Sequence, residues 1–422
     1  MKEGIIIIGA GASGLMAARE LGAGGYRVVL LEGANRTGGR IHTIEAPGFE
    51  QPVEMGAEFM HGRLPLTMEL LEEAGTEYEK TSGRMVQMRK GEWKQQDDFT
   101  IDWDLLLQRL YELKEDVPLA VFLGQYFGGE EYAALRSSVR RFAEGFDVAN
   151  INDVSTFALR EEWSHEEDGQ FRITGGYGQL IHYLERQCRD KGVVLHTSCI
   201  VKKINWSAGA VQAVCADGRV FEAGKLLITV PAGVLQAGAD TKAGIAFSPA
   251  VEAYTAAIRQ IGFGTVTKIL LQFKTAFWNS YAKNIGFVLG EATIPTWWTQ
   301  DATSCLLTGW LAGPAAAVLK GADEATLLQA AIASLAVIFN KTEGELRGLL
   351  VAGRVADWEQ DPFSMGAYSY DTIHTAAARR LLLEPVANTL FWAGEALYEG
   401  TSPGTVEAAF ASGKTAAERL MS

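Results

Sequence analysis

Near the start of the chain, four consecutive isoleucines run straight into three spaced glycines, and few folds accept that arrangement. Residues 5–8 are followed at once by Gly9-Ala-Gly11-Ala12-Ser13-Gly14. An unbroken β-branched run of this length reads as a strand buried on both faces. Residues 15–21 then read as a helix, 22–25 as a turn and 26–31 as a second strand. Strand, helix and strand in quick succession form the unit of a parallel sheet. In such a unit Gly9 permits the tight turn, Gly11 lets backbone approach a pyrophosphate, and Gly14 lets the helix pack on the strand. The phosphates sit at the positive end of the helix, beside Ala12 and Ser13. Glu32 closes the second strand, where a carboxylate accepts from ribose hydroxyls and repels a 2′-phosphate. The pattern therefore predicts a dinucleotide site without a 2′-phosphate, and by itself leaves NAD and FAD open.

The rest of the chain bounds what that site can serve. Its 422 residues suffice for two or three domains, and 48% apolar with 21% charged residues excludes a disordered or fibrous chain. A formal charge of −13 argues against nucleic acid as a partner, and its negative field either keeps the chain in solution or favours small cationic ligands. Cys188, Cys199, Cys215 and Cys305 form no C-x-x-C pair and no Cys/His cluster, which predicts no metal site and a reduced, cytoplasmic setting. No apolar run approaches the ~20 residues needed to cross a bilayer. Residues 327–339 read as a buried helix, and no anchor tail is expected after the closing helical segment.

From about residue 64 to 164 the texture is helical, notably over 103–116 and 130–146. A helix is expected over 179–191, strands over 193–195, 201–206, 211–216, 226–230 and 390–393, and a closing helix over 405–420. Val406, Ala409, Phe410, Gly413, Ala417 and Leu420 share one face of that last helix. Residues 265–273 read as a strand with Lys268 amid apolar neighbours. A lysine there is costly to bury unless something uses it, although an edge-strand lysine can snorkel.

Several segments carry a resemblance. Glu32-Gly33-Ala-Asn-Arg36-Thr-Gly38-Gly39-Arg40 extends the dinucleotide motif. Val53-Glu-Met-Gly56-Ala57-Glu58-Phe59-Met60-His61-Gly62, Val201-x-x-Ile204, Val230-Pro-Ala-Gly-Val-Leu235, Phe391-Trp-Ala-Gly394-Glu395 and Gly404-Thr405-Val406-Glu407-Ala-Ala409 follow in order. Together they resemble the FAD-dependent amine oxidase superfamily, which includes monoamine, polyamine and L-amino-acid oxidases and lysine-specific histone demethylases. The resemblance implies an α/β fold: a Rossmann-like FAD-binding domain joined to a mixed α+β substrate domain. The FAD-binding domain would comprise residues 1–70, 171–248 and 385–422, and the substrate domain 71–170 and 249–384.

By that resemblance FAD is gripped by Gly9, Gly11, Ala12, Ser13, Gly14, Glu32, Gly33, Gly39, Arg40, Gly56, Ala57, Glu58, Val201, Gly394, Glu395, Gly404, Thr405 and Val406. Arg40 neutralises pyrophosphate charge, and Glu395 accepts from the ribityl or ribose side. The start of the closing helix faces the flavin pyrimidine edge. No cysteine follows Cys305, so the flavin is expected to be non-covalent.

Lys268 resembles the family lysine that holds a water against flavin N5. Its exact role stays open between imine hydrolysis and reoxidation by oxygen. Tyr368 and Trp358 resemble one wall of the aromatic amine cage, whose faces attract a cation while the dry surroundings lower an amine's pKa; Trp358 suits a core position equally well. Thr405 stands where monoamine oxidases place a second tyrosine, which leaves the cage half open. His61 is a substrate-channel residue or a structural histidine. Phe59 and His61 stand where L-amino-acid oxidases carry an arginine, which argues against an amino-acid substrate. Glu72-Glu73, Glu161-Glu162 and Glu166-Glu167-Asp168 line an acidic entrance or a solvated face.

The implied reaction is oxidative deamination of a primary, secondary or polyamine substrate. Hydride passes to flavin N5, and oxygen reoxidation gives hydrogen peroxide. A carbon–carbon desaturase or porphyrinogen-type oxidase, and a non-catalytic flavin-stabilised module, are the alternatives. The particular amine and the oligomeric state are left open.

Overall fold

The computed structural model describes residues 4–89, 91–95, 102–164, 169–301 and 303–422. Gly4–Ile8 lies at the centre of a parallel five-stranded sheet in the order Val194–His196, Arg27–Leu31, Gly4–Ile8, Lys225–Ile228, Leu390–Trp392. These strands come from the beginning, middle and end of the chain. All five residues of the central strand are buried. Ile5 and Ile7 point to one face, against Leu15, Leu21 and Leu180 of two helices and Phe410 and Ala417 of the closing helix. Ile6 and Ile8 point to the other face, against Ile204, Ala213 and Trp392. The strand period of two thus puts one isoleucine run into two cores. A four-stranded sheet of Val201–Ser207, Ala210–Cys215, Val220–Ala223 and Ala246–Ser248 supplies part of the second core.

A second, mixed sheet has seven strands: Leu350–Asp357, Val266–Phe273, Leu306–Ala312, Thr296–Thr299, Ile285–Gly290, Arg84–Arg89 and Glu92–Gln95. Helix Glu324–Phe339 packs on it through Leu327, Ala331, Leu335 and Ile338. Among the described residues no single helix is long and apolar enough to cross a membrane. Helices Trp103–Glu112, Leu119–Tyr126, Ala133–Gly145 and Thr156–Trp163 form a separate cluster around Leu106, Phe122, Val139 and Leu159.

Arg84–Arg89 is a strand inside a stretch expected to be helical. Val86 and Met88 are fully buried, and the pairing partner Ile285–Gly290 lies some 200 residues away. Long-range pairing decides the state of a segment with so short an apolar pattern. The helix expected over 130–146 starts as a 3-10 turn, Glu130–Tyr132, and becomes α-helical only over Ala133–Gly145.

Candidate active site

The first strand ends in a turn that glycine makes possible. Gly9 has φ +101°, a region L side chains rarely adopt, and its N–H donates to Leu31 O (2.8 Å). Gly14 sits so close that a Cβ there would lie 1.9 Å from Gly9 O. Gly11 is the reverse case: a Cβ on it would meet nothing nearer than Gly38 O at 4.0 Å. Its backbone borders open space. Glu32, at the end of the second strand, accepts from Ala10 N (2.7 Å) and Ala34 N (2.8 Å). Burial raises its pKa, while those two N–H groups and Arg36 oppose the rise.

That open space is one end of a cavity of about 1610 Å³, beyond the ~1,000 Å³ of ordinary small-molecule sites. Every residue singled out above for flavin or substrate lines it except Gly14, whose place is between helix and turn. Arg40 Nη1 donates to Ala367 O (2.5 Å) and to Glu395 Oε1 (2.9 Å). Ser369 Oγ donates to Glu395 Oε2 (2.5 Å). Both Glu395 oxygens are therefore held by protein groups, so this carboxylate orients Arg40 as well as bordering the cavity. Thr405 is the N-cap of Val406–Met421, its Oγ1 accepting from Ala408 N (3.1 Å). Glu407 accepts from Leu66 N, Thr67 N and Thr67 Oγ1 at 2.7–2.9 Å, which ties the same helix to Pro65–Ala74.

Lys268 lies mid-strand in Val266–Phe273 and is 1% exposed. Its Nζ donates to Glu58 Oε2 (2.7 Å) and Gly56 O (3.1 Å) and lies 5.7 Å from the Trp298 ring centre. Glu58 Oε1 accepts from Arg172 Nε, Trp298 Nε1 and Gln300 Nε2, each at 3.0 Å. Burial drives the Glu58 carboxyl upward, but Lys268 and Arg172 outweigh it and bring it down to about 2. Glu58 is thus an ionised hub beneath the cavity rather than a simple cofactor contact. Nearby Glu54 is pushed up to about 7 by burial, against the pull of Lys268. The sequence did not mark Arg172, Trp298 or Gln300. The only local signals were an arginine within the Gln170–Ile173 alternation and the Trp297-Trp298 pair.

The Arg172 guanidinium stacks 4.5 Å from the Phe59 ring, and Phe59 meets Trp298 edge-on at 5.5 Å. His61 contacts Gln170 Nε2 through Nδ1 (3.4 Å) and packs edge-on against Phe146 at 5.5 Å. Tyr368 donates through its hydroxyl to Phe146 O. Gly404, at φ +67°, lets the Tyr368 ring rest on the entry to the closing helix, where a Cβ would sit 3.1 Å from Cδ2. Trp358 is 7% exposed, donates through Nε1 to Met55 O (3.0 Å) and packs under Gly56. It serves as core and cavity wall at once. Glu161 and Glu162 line the cavity, Glu72 and Glu73 do not, and Glu166, Glu167 and Asp168 lie outside the described residues.

A sequence profile of the family described as flavin containing amine oxidoreductase matches residues 12–421. The chain belongs to the flavin-containing amine oxidoreductases. Human lysine-specific histone demethylase 2 is 28% identical over 460 residues, covering 99% of this chain and 53% of that protein. The chain spans about half the length of the curated demethylase relatives it matches. Polyamine oxidase 2 of Arabidopsis thaliana is 28% identical over 468 residues, covering 98% and 87%. Among solved structures, putrescine oxidase bound to putrescine superposes with TM-score 0.81 at 18% identity, covering 99% and 98%. Cyclohexylamine oxidase from Brevibacterium oxydans gives TM-score 0.80 at 20% identity, covering 100% and 99%. These two likenesses establish the fold.

The family is described as flavin-containing, so the group this chain would hold is a flavin. Its own residues fit that group. Ser13 Oγ, in the first turn of Ala12–Ala23, is buried and has no hydrogen-bond partner among the described residues. It lines the cavity beside the bare Gly11 backbone and the free N–H groups of that helix start. An anionic, multi-acceptor group is what these donors lack.

Proposed function

We propose that the protein is an oxidase of aliphatic amines, taking a primary, secondary or polyamine substrate, with oxygen as electron acceptor and hydrogen peroxide as product. The observation that carries this reading is the continuity of one cavity, from the glycine turn at Gly9 and Gly11 to Lys268, Phe59 and Tyr368. The glycine turn, Ser13, Glu32 and Arg40 would hold FAD without a covalent link. When bound, FAD supplies the acceptor for the hydrogen and electron pair leaving the amine's α-carbon. The protein's part is placement and desolvation. Tyr368, Phe59 and Trp298 offer aromatic surface to the amine, and their dry environment favours its neutral form, which has a free lone pair. Lys268, held by Glu58 and Gly56, would orient a water for hydrolysis of the resulting imine to an aldehyde and ammonia or a smaller amine, or assist reoxidation by oxygen. The amine loses two electrons and two protons, and oxygen gains both to become peroxide, so the overall reaction balances. Cysteine usage supports a cytoplasmic setting.

The test is product analysis. Purified yellow protein turning over butylamine, N-methylbutylamine, putrescine or spermidine in air should release aldehyde and peroxide in equal amounts from at least one of them. Absence of both products from every amine, with FAD retained, would overturn the reading.

A further inference from the structure

Two of the four cysteines lie against each other, and none of the chemistry above uses them. Cys199 stands just ahead of strand Val201–Ser207, and Cys215 closes strand Ala210–Cys215. Both are buried free thiols. Their sulfurs are 2.8 Å apart, one thiol donating to the other. Backbone bonds hold both residues in place. Cys199 N donates to Glu32 O (2.8 Å), Cys215 N to Arg219 O (2.9 Å) and Ala216 N to Ile200 O (2.8 Å). A disulfide bond is about 2.05 Å long, so the sulfurs need approach each other by less than about 1 Å.

The two thiols are not equivalent. Cys199 lines the cavity, between Ser198 and Ile200, and Cys215 does not. Burial pushes the Cys215 thiol up to about 12, and its hydrogen bond with Cys199 adds to the rise against the pull of Arg219. A thiol in that state is a poor first nucleophile. Peroxide in the cavity therefore meets Cys199 first. An isolated thiol attacked in this way passes through the sulfenic acid to sulfinic and sulfonic acids, which thiols do not reverse. A second thiol already in contact intercepts the sulfenic acid, because that step is intramolecular.

We propose that Cys199 and Cys215 form a peroxide-consuming pair in the cavity wall, in which Cys199 is oxidised and Cys215 resolves it as a reversible disulfide. The source of the peroxide rests on the oxidase reading above. The Cys199 sulfur attacks one peroxide oxygen, the O–O bond breaks, and hydroxide leaves. The Cys215 sulfur then attacks the Cys199 sulfur, the S–O bond breaks, and a second hydroxide leaves. The two thiol protons turn both hydroxides into water, and the two electrons lost by the sulfurs are those gained by the peroxide. Such a bond is transient in a compartment that returns disulfides to thiols. It spares the wall beside Glu32 and Val201 the irreversible acids.

The experiment treats the reduced holoprotein with excess hydrogen peroxide, blocks free thiols with N-ethylmaleimide, and digests it with trypsin without reduction. Cleavage at Lys191, Lys202, Lys203 and Arg219 leaves residues 192–202 and 204–219 joined only through a Cys199–Cys215 bond. Mass spectrometry should find that joined pair, and dithiothreitol should separate it. In Cys215→Ala, Cys199 carrying two or three oxygens should increase at least tenfold over wild type. Cys215→Ser serves if the alanine variant does not fold. Wild-type protein in which both thiols stay free, or in which Cys199 gains oxygens without any joined pair, overturns the proposal. So does a variant whose Cys199 is no more oxidised than in the wild type. A second arm replaces added peroxide with aerobic amine turnover, with and without catalase. The joined pair should form, and catalase should suppress it. Aldehyde and peroxide released while the pair stays reduced overturns the proposal. No aldehyde from any amine, with the pair still formed by added peroxide, overturns the oxidase reading alone.

Discussion

Glu58 is the residue whose loss should be felt most broadly. Glu58→Gln keeps the shape of the side chain and removes one charge. In the wild type a fall of the carboxyl from 4.5 to about 2 corresponds to about 3 kcal/mol favouring its ionised form. The variant leaves Lys268, 1% exposed, without its counter-ion, and breaking a buried pair on one side costs about 3–5 kcal/mol. With an unfolding entropy of about 2.1 cal/mol/K per residue over 422 residues, that cost lowers Tm by about 3–6 °C. Thermal unfolding of the FAD-loaded protein measures it. The decisive comparison is the double variant Glu58→Gln/Lys268→Met, which removes the stranded cation as well. It should melt above Glu58→Gln, giving a coupling energy of at least about 1.5 kcal/mol. The wild-type contribution is present above pH 4.5 and is lost as pH falls through about 2, because the carboxyl is depressed in the folded state. Additive losses in the double variant would refute the reasoning, since they would mean that Lys268 and Glu58 do not act on each other.

Other perturbations follow from the same geometry. Gly14→Ala drives a Cβ into Gly9 O and should yield protein that retains no flavin absorbance after gel filtration. Lys268→Met should keep FAD but slow turnover or reoxidation at least tenfold in stopped-flow measurements; unchanged kinetics would remove Lys268 from the site. Glu54 is raised from 4.5 to about 7 by burial, so wild-type stability should decline as pH rises between those values, by up to about 3 kcal/mol. Glu54→Gln should flatten that decline in Tm measured from pH 5 to pH 8.

What could be read along the chain, and what could not, divides by the range of the interaction. The five strands of the parallel sheet fall within a residue or two of their expected places, because each is a short apolar run bounded by turn residues. Lys268 stood out because a charge inside an apolar strand needs an explanation wherever that strand goes. Gly14 was also legible, since close packing in a strand–turn–helix is local. Arg172, Trp298 and Gln300 were not. Gln170–Ile173 earns its place only by pairing with both Phe59–His61 and Tyr78–Lys80. Glu58 and Lys268 are 210 residues apart, so nothing local marks them as an ion pair.

The central claim is that residues from both ends of the chain build one chamber in which a bound flavin meets an amine. Anaerobic mixing of the yellow holoprotein with excess putrescine, followed in the visible flavin band, tests it most directly. The account predicts bleaching of that band, and its return when air is admitted. A band that keeps its intensity with putrescine and with every other amine offered, while FAD remains bound, would contradict it.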